Sequence, residues 1–378
     1  MAGMQRLLTL TVAAVILLGS VPAAEAARRE VPRAFYAMMW DRAATQAPDA
    51  EQDAQWALMA RSGVEAVRTV FLWEKAQPNP GEPPDFTDTD RLVRMATQHN
   101  IKLLPVVRQT PIWAARQPYV LGAPPARPSD YTAYLQALVG RYGPAGSFWG
   151  EHPELPLHPL REWQIWNEPH LTVWWNTEGS WPREYVHLLK ASKAAIEDVD
   201  PGATVVLASL ADFAWKHLAR LNRFNVGRYF DVAGLNFFTA RPANVLRGVR
   251  KFRRALRAGG AGRKPIWLTE TTWPAARGHV TRPEAAWQRA WYTSDTGMAR
   301  RLRAIYSVAA RERRALGLKR LYWYTWASSY SETDLFDYGG LVRYSGTSYE
   351  PRPALAAYAA SARRHQGCAK TSAGVCRR

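Results

Sequence analysis

The chain has 378 residues, 47% of them hydrophobic, with 17 Trp and only two Cys. Lys and Arg number 50 against 32 Asp and Glu, a formal charge of +18, which favours anionic partners such as acidic polysaccharide, wall polymer or membrane surface. The charge comes with no recognised nucleic-acid motif, which argues against nucleic acid as a partner, and the apolar content is ample for a substantial core.

The first 26 residues read as an export leader. Arg6 gives a positive start, Leu7 to Leu18 an apolar run, and Ala24-Glu25-Ala26 a small-residue cleavage site. The run is shorter than the roughly 20 residues a spanning helix needs, and an uncleaved anchor is the alternative. A secreted protein is expected, extracellular or cell-wall associated, with one domain over 27–366 and a tail over 367–378. Export suits a Cys368–Cys376 disulfide, which closes only a short terminal loop.

Strand and helix then alternate. Ala34 to Trp40 is a strand and Glu51 to Ser62 its helix. Ala66 to Trp73 is a strand containing Arg68, and Asp88 to His99 a helix. Ile101 to Val107 is a continuous apolar run, as in a parallel strand covered on both faces. Ser129-Asp130 starts a helix toward Tyr142. A strand leads into Asn167-Glu168-Pro169, and helix Arg183 to Asp198 stops at Asp200-Pro201-Gly202. Thr204 to Ala208, Val232 to Phe238, Ile266 to Thr269 and Leu321 to Trp326 are further strands. Helices Trp215 to Phe224, the basic stretch from Arg247, an interrupted Glu284 to Ala315 and Pro353 to Arg363 follow them. Eight such units in order predict an α/β fold, a (β/α)8 TIM barrel, with a doubly wound sheet as the alternative.

Barrels place chemistry at the C-terminal strand ends. Arg68, Asn167, Glu168, Asn236, Glu270 and Trp326 fall at or near such ends. Two runs stand out, Trp163 to His170 and Pro265 to Trp273. Each delivers a Glu from an apolar strand into a nest of Trp, and two carboxyls so placed are what a retaining glycosidase needs. The loops Gln109 to Pro128 and Leu171 to Trp181, the latter with Trp174, are expected as groove walls. Glu178, Glu332, Asp334 and Asp337 fall in loops on the same side. Plainer alternatives stand beside these readings: a structural ion pair for Arg68, and core packing for Trp326 and the loop tryptophans.

These motifs resemble clan A of the glycoside hydrolases, bacterial secreted members near families 5 and 39. The resemblance implies that Glu168 is the acid/base and Glu270 the nucleophile. It implies that Arg68 sits beside the nucleophile, that Asn167 holds the sugar 2-hydroxyl, and that Trp326 floors the sugar site. It calls for no cofactor and no metal, and for carboxyls about 5–5.5 Å apart. The chain departs from the pattern on strand 6, where Asn236 and Phe238 stand in place of the usual His and Tyr, and Tyr324 is a candidate substitute for the phenol. The implied substrate is a poly- or oligosaccharide. A barrel that binds wall glycan without cleaving it, and a transglycosylase, are the alternatives. The basic runs Arg247 to Lys264 and Arg300 to Arg320 are expected on outer helices, as a solvated face or as a contact to anionic wall polymer.

Overall fold

The computed structural model describes residues 29–40, 47–280, 285–330, 334–346 and 348–367. The leader and the Cys368–Cys376 pair lie outside them. Eight parallel strands form one sheet: β1 Tyr36–Met39, β2 Ala66–Leu72, β3 Lys102–Arg108, β4 Glu162–Ile165, β5 Thr204–Val206, β6 Ala233–Asn236, β7 Ile266–Thr271 and β8 Leu318–Tyr324. Their order is β5-β4-β3-β2-β1-β8-β7-β6. The edges β5 and β6 are joined by parallel bridges, Val206 to Val232 and Leu210 to Leu235, so the sheet closes on itself. Parallel neighbours need a crossover. Helices supply it: α1 Asp49–Arg61, α2 Thr87–Gln98, α3 Pro128–Tyr142, α4 Trp181–Val199, α5 Ala214–Asn222, α6 Pro242–Ala258, α7 Asp295–Leu316 and α8 Pro353–Gln366. The expected (β/α)8 barrel is therefore the observed one.

Local sequence explains these helices. Pro stands in the first turn of α3, α4, α6 and α8, where its missing N–H has no intrahelical partner to lose. Left-handed Gly317 and Gly367 end α7 and α8, a conformation that costs Gly little. The break in the Glu284–Ala315 region falls between Trp291 and Asp295, where Ser294 accepts the Gly297 N–H and caps α7.

Side chains alternate along each strand. One set, including Val67, Phe71, Leu103, Val107, Trp163, Ile165 and Leu268, packs beneath the helices. The other points into the barrel, where Ala37, Ala66, Leu104, Val206, Trp267 and Tyr322 form a separate inner cluster. Below them Arg320 Nη2 donates to Glu162 Oε1 at 2.6 Å, with its guanidinium 3.9 Å from the centroid of the Trp267 ring. The β5–β6 seam is tight. A Cβ on Gly234 would lie 2.7 Å from Leu207 O and 3.1 Å from Ser209 Oγ.

Not all of the basic α6 run is a solvated face. Arg253 is buried and donates to Leu316 O, Gly262 O and Lys264 O at 3.0, 2.8 and 2.7 Å, tying α6 to the end of α7. A small sheet of β9 Ala327–Ser328, β10 Val342–Tyr344 and β11 Tyr349–Pro351 was not expected. Its strands are too short to show an alternation in sequence.

Candidate active site

The upper end of the barrel interior is polar. On β2, β4 and β7 the inward positions above the inner cluster are Arg68, Gln164 and Thr269, all at most 1% exposed. β4 ends in a turn that takes Trp166 to φ 68° and Glu168 to φ 44°. Left-handed backbone is uncommon for bulky residues and persists where its surroundings over-determine it. Here Trp166 N donates to Val107 O at 3.0 Å and Glu168 N to Ser209 O at 3.0 Å. The Trp166 indole N–H reaches Trp174 O at 2.7 Å. These bonds aim the Glu168 side chain across the barrel mouth.

Glu270 arrives by a different device. The register between β6 and β7 shifts so that Asn236 pairs with Glu270, and the β7–β8 register shifts between Leu268 and Thr271. Such bulges re-aim side chains beside functional sites. Thr269 and its neighbour Glu270 both serve the site as a result.

Arg68 holds the centre. Its Nη1 donates to Glu270 Oε1 at 2.6 Å and Met39 Sδ at 2.7 Å, its Nη2 to Asn167 Oδ1 at 2.8 Å, and its Nε to Gln164 Oε1 at 2.8 Å. Asn167 is thereby turned with its amide nitrogen as the remaining donor end. Glu168 has no such cation on it, and its Oε1 accepts from Asn236 Nδ2 at 2.8 Å. Burial first, and then the Glu270 charge, push the Glu168 carboxyl up to about 8, while the Asn236 bond and Arg68 pull it back. One carboxyl is ion-paired and the other is disposed to keep its proton, the division of labour by which paired acids separate.

Both carboxyls line one cavity of about 1200 Å3, together with Arg68, Asn167, Tyr324, Trp174 and Phe238. Asn236 lies fully buried beneath it. Trp326 requires a correction. It is 0% exposed, its indole N–H donates to Gln55 at 3.0 Å, and it does not reach the cavity. The strand-8 aromatic that lines the cavity is Tyr324, two residues earlier and on the inward side of the alternation. Phe238 packs edge-on to Phe336, Trp291 and Tyr324, with centroids 5.0, 5.5 and 6.3 Å away, as part of an aromatic wall. Trp174 lies under the Arg108 guanidinium, 4.5 Å from its centroid, whereas Trp175 is buried in the core.

Several lining residues carried no readable signal in sequence. Asp212, Phe213 and Trp215 follow β5, and Arg108 ends β3. Asp334 and Asp337 also line the cavity, and Glu332 lies outside the described residues. The His170 and His217 rings lie with centroids 4.2 Å apart and planes tilted by 30°. Burial pushes the His170 imidazole down to about 3, with His217 and Arg220 acting the same way. The His immediately after Asn-Glu-Pro was a signal that went unused. Among the described residues, no group of three His, Cys, Asp or Glu gathers to hold a metal ion, and no helix is long and apolar enough to cross a membrane.

Neither a protein-family model nor a curated protein matches the sequence. Solved structures do. A β-xylosidase from Caulobacter crescentus aligns with a TM-score of 0.63 at 16% identity, over 89% of this chain and 69% of that one. A family 39 glycoside hydrolase from Bacteroides cellulosilyticus aligns with a TM-score of 0.62 at 17% identity, over 89% of this chain and 64% of that one. An α-L-arabinofuranosidase from Thermotoga maritima aligns with a TM-score of 0.61 at 10% identity, over 89% and 71%. At such identities the likeness establishes the barrel fold. This chain spans about two thirds of the length of these neighbours.

Proposed function

We propose that this chain is a secreted retaining glycosidase acting on β-linked poly- or oligosaccharide. The observation that carries the reading is the unequal pair of buried carboxyls on one cavity: Glu270 on the Arg68 guanidinium, and Glu168 pushed up to about 8. In the first step Glu270 attacks the anomeric carbon as the glycosidic C–O bond breaks. Glu168 gives its proton to the departing oxygen, and a covalent glycosyl-enzyme forms. Glu270 then no longer carries its negative charge, so one cause holding the Glu168 proton is removed. Glu168, now a carboxylate, takes a proton from the incoming water. That water attacks the anomeric carbon and releases Glu270. The amide nitrogen of Asn167 is placed to donate to the sugar 2-hydroxyl, a contact that strengthens as positive charge develops on the ring.

Three further features support an extended carbohydrate. Tyr324, Trp174 and Phe238 give the cavity apolar faces on which sugar rings can stack. A second cleft of about 570 Å3 shares Val70, Arg108 and Trp174 with the cavity as lining, which favours an open groove. The neighbours of the same fold include enzymes named for xylose and arabinose substrates. The leader-like N-terminus supports export, and the +18 charge supports retention on anionic wall polymer.

The roles are separable by rescue chemistry. With an activated aryl β-glycoside, Glu270→Ala plus azide is expected to yield the α-glycosyl azide, because azide replaces the nucleophile on the open face. Glu168→Ala plus azide is expected to yield the β-glycosyl azide, because azide then attacks the glycosyl-enzyme. Product configuration is read by NMR. A near-native rate for Glu270→Gln, or the opposite pairing of variant and anomer, would overturn the assignment.

A further inference from the structure

Beneath the two carboxyls, side chains from five segments of the barrel form one unbroken hydrogen-bonded chain, and its direction is set from one end. A guanidinium has only donors. Arg68 Nε therefore faces the carbonyl end of Gln164, at 2.8 Å. The Gln164 nitrogen is turned the other way, onto Trp166 O at 2.9 Å and Ser209 Oγ at 3.2 Å. Ser209, having accepted, has its hydrogen for Thr269 Oγ1 at 2.6 Å. Thr269 passes its own hydrogen to Asn236 Oδ1 at 2.9 Å. Asn236 is left with its nitrogen for Glu168 Oε1 at 2.8 Å. All five side chains are at most 1% exposed, so bulk water does not compete for these groups. In such a place a donor without an acceptor is strongly disfavoured.

We propose that Gln164, Ser209 and Thr269 are positioning residues that carry the donor-only character of Arg68 through to Glu168, locking the Asn236 amide with its nitrogen toward the acid/base. The proposal rests on the role given to Glu168 above and deepens it. The lock occupies Oε1, so the acid proton is carried on Oε2. It also places a donor on Glu168, which favours the carboxylate needed in the second step. Because the chain begins at the guanidinium that holds Glu270, nucleophile and acid/base are oriented by one assembly. Arg68 from β2, Glu270 from β7 and Asp212 after β5 act on the Glu168 charge, and Arg108, His170 and His217 line the same cavity. None of them is altered by a change at Thr269.

The test is Thr269→Val, which keeps the shape of the side chain and removes its hydroxyl. Asn236 Oδ1 then loses its donor, and the amide is free to turn that oxygen onto Glu168, which must stay protonated to meet it. The alkaline limb of the kcat/KM profile is expected to move up by about one pH unit, the scale of one hydrogen bond to a charged group. Thr269→Ser, which retains the hydroxyl, is expected to hold the limb at its native position. Ser209→Ala removes the bias two links away and is expected to move the limb the same way by less; it carries the test should Thr269→Val not fold. The same shift is read without substrate by infrared titration of the Glu168 carboxyl, identified by its loss in Glu168→Gln. A folded Thr269→Val whose carboxyl titration coincides with the wild type overturns the proposal. If no glycoside is turned over while the infrared shift appears, the failure falls on the functional reading and the relay stands.

Discussion

Arg68 and Glu168 show how burial decides what a side chain does. A guanidinium in this place would be costly without partners. It has four, Glu270, Asn167, Met39 and Gln164, and all belong to the site or the chain beneath it. Glu168 has the opposite character. Its ordinary value of 4.5 is raised to about 8, so folding favours its neutral form. Between those two values the unfolded chain has released the proton while the folded chain keeps it, and stability therefore falls as pH rises through this window. Glu168→Gln removes the titration and keeps the shape. The variant is expected to melt at the wild-type temperature near pH 4 and a few degrees higher at pH 8 and above. Thermal unfolding across pH checks this, and a constant difference between the two proteins would show that Glu168 carries no such penalty.

At the scale of elements, the site depends on departures from regular strand geometry. The turn after β4 and the shifted registers around β7 bring in Glu168 and Glu270, and the β5–β6 seam brings Ser209 beside β6. Gly234→Ala tests the seam. The added methyl would meet a backbone oxygen, Leu207 O, at 2.7 Å, and backbone yields less than a side-chain tip. A loss of about 1–3 kcal/mol is expected, measured by urea unfolding, with a lower kcat because Ser209 and Asn236 move with their segments. Unchanged stability would mean that the seam gives way easily. The same departures explain what sequence could and could not disclose. Strands of apolar residues between helical stretches are legible by pattern, as are two Glu at strand ends with Arg68 across from them. A register shift leaves no trace in composition, so it was hidden that the consecutive residues Thr269 and Glu270 both serve the site. Gln164, Ser209 and Thr269 read as ordinary strand residues, although a Gln between Trp163 and Ile165 in a buried strand was a clue. Trp326 was misread because a residue count along β8 does not reveal that the chain turns after Tyr324 and carries the next aromatic into the core.

Across the whole molecule, polar groups occupy both ends of the barrel interior for different reasons. The upper end holds Arg68, Gln164, Thr269 and the two carboxyls around an open cavity. At the lower end Arg320 pairs with Glu162 at 2.6 Å, lies against Trp267 and donates to Tyr322 at 3.2 Å. In barrels of this kind the lower face serves stability and the upper face chemistry, with the apolar layer of Ala37, Leu104, Val206 and Tyr322 between them. The two ends should therefore respond independently. Arg320→Met leaves Glu162 charged, largely buried and unpaired, a situation that costs about 3–5 kcal/mol. Arg320→Met combined with Glu162→Leu removes both charges and is expected to recover most of that loss, because a buried pair replaced by apolar groups is often neutral. Urea unfolding of the two variants measures the difference. Turnover by the folded fraction is expected to be native in both, since neither residue touches the cavity. A lower kcat with the double variant fully folded would mean that the lower pair sets the geometry of the upper end, and the apolar layer would then be a coupling element between the two.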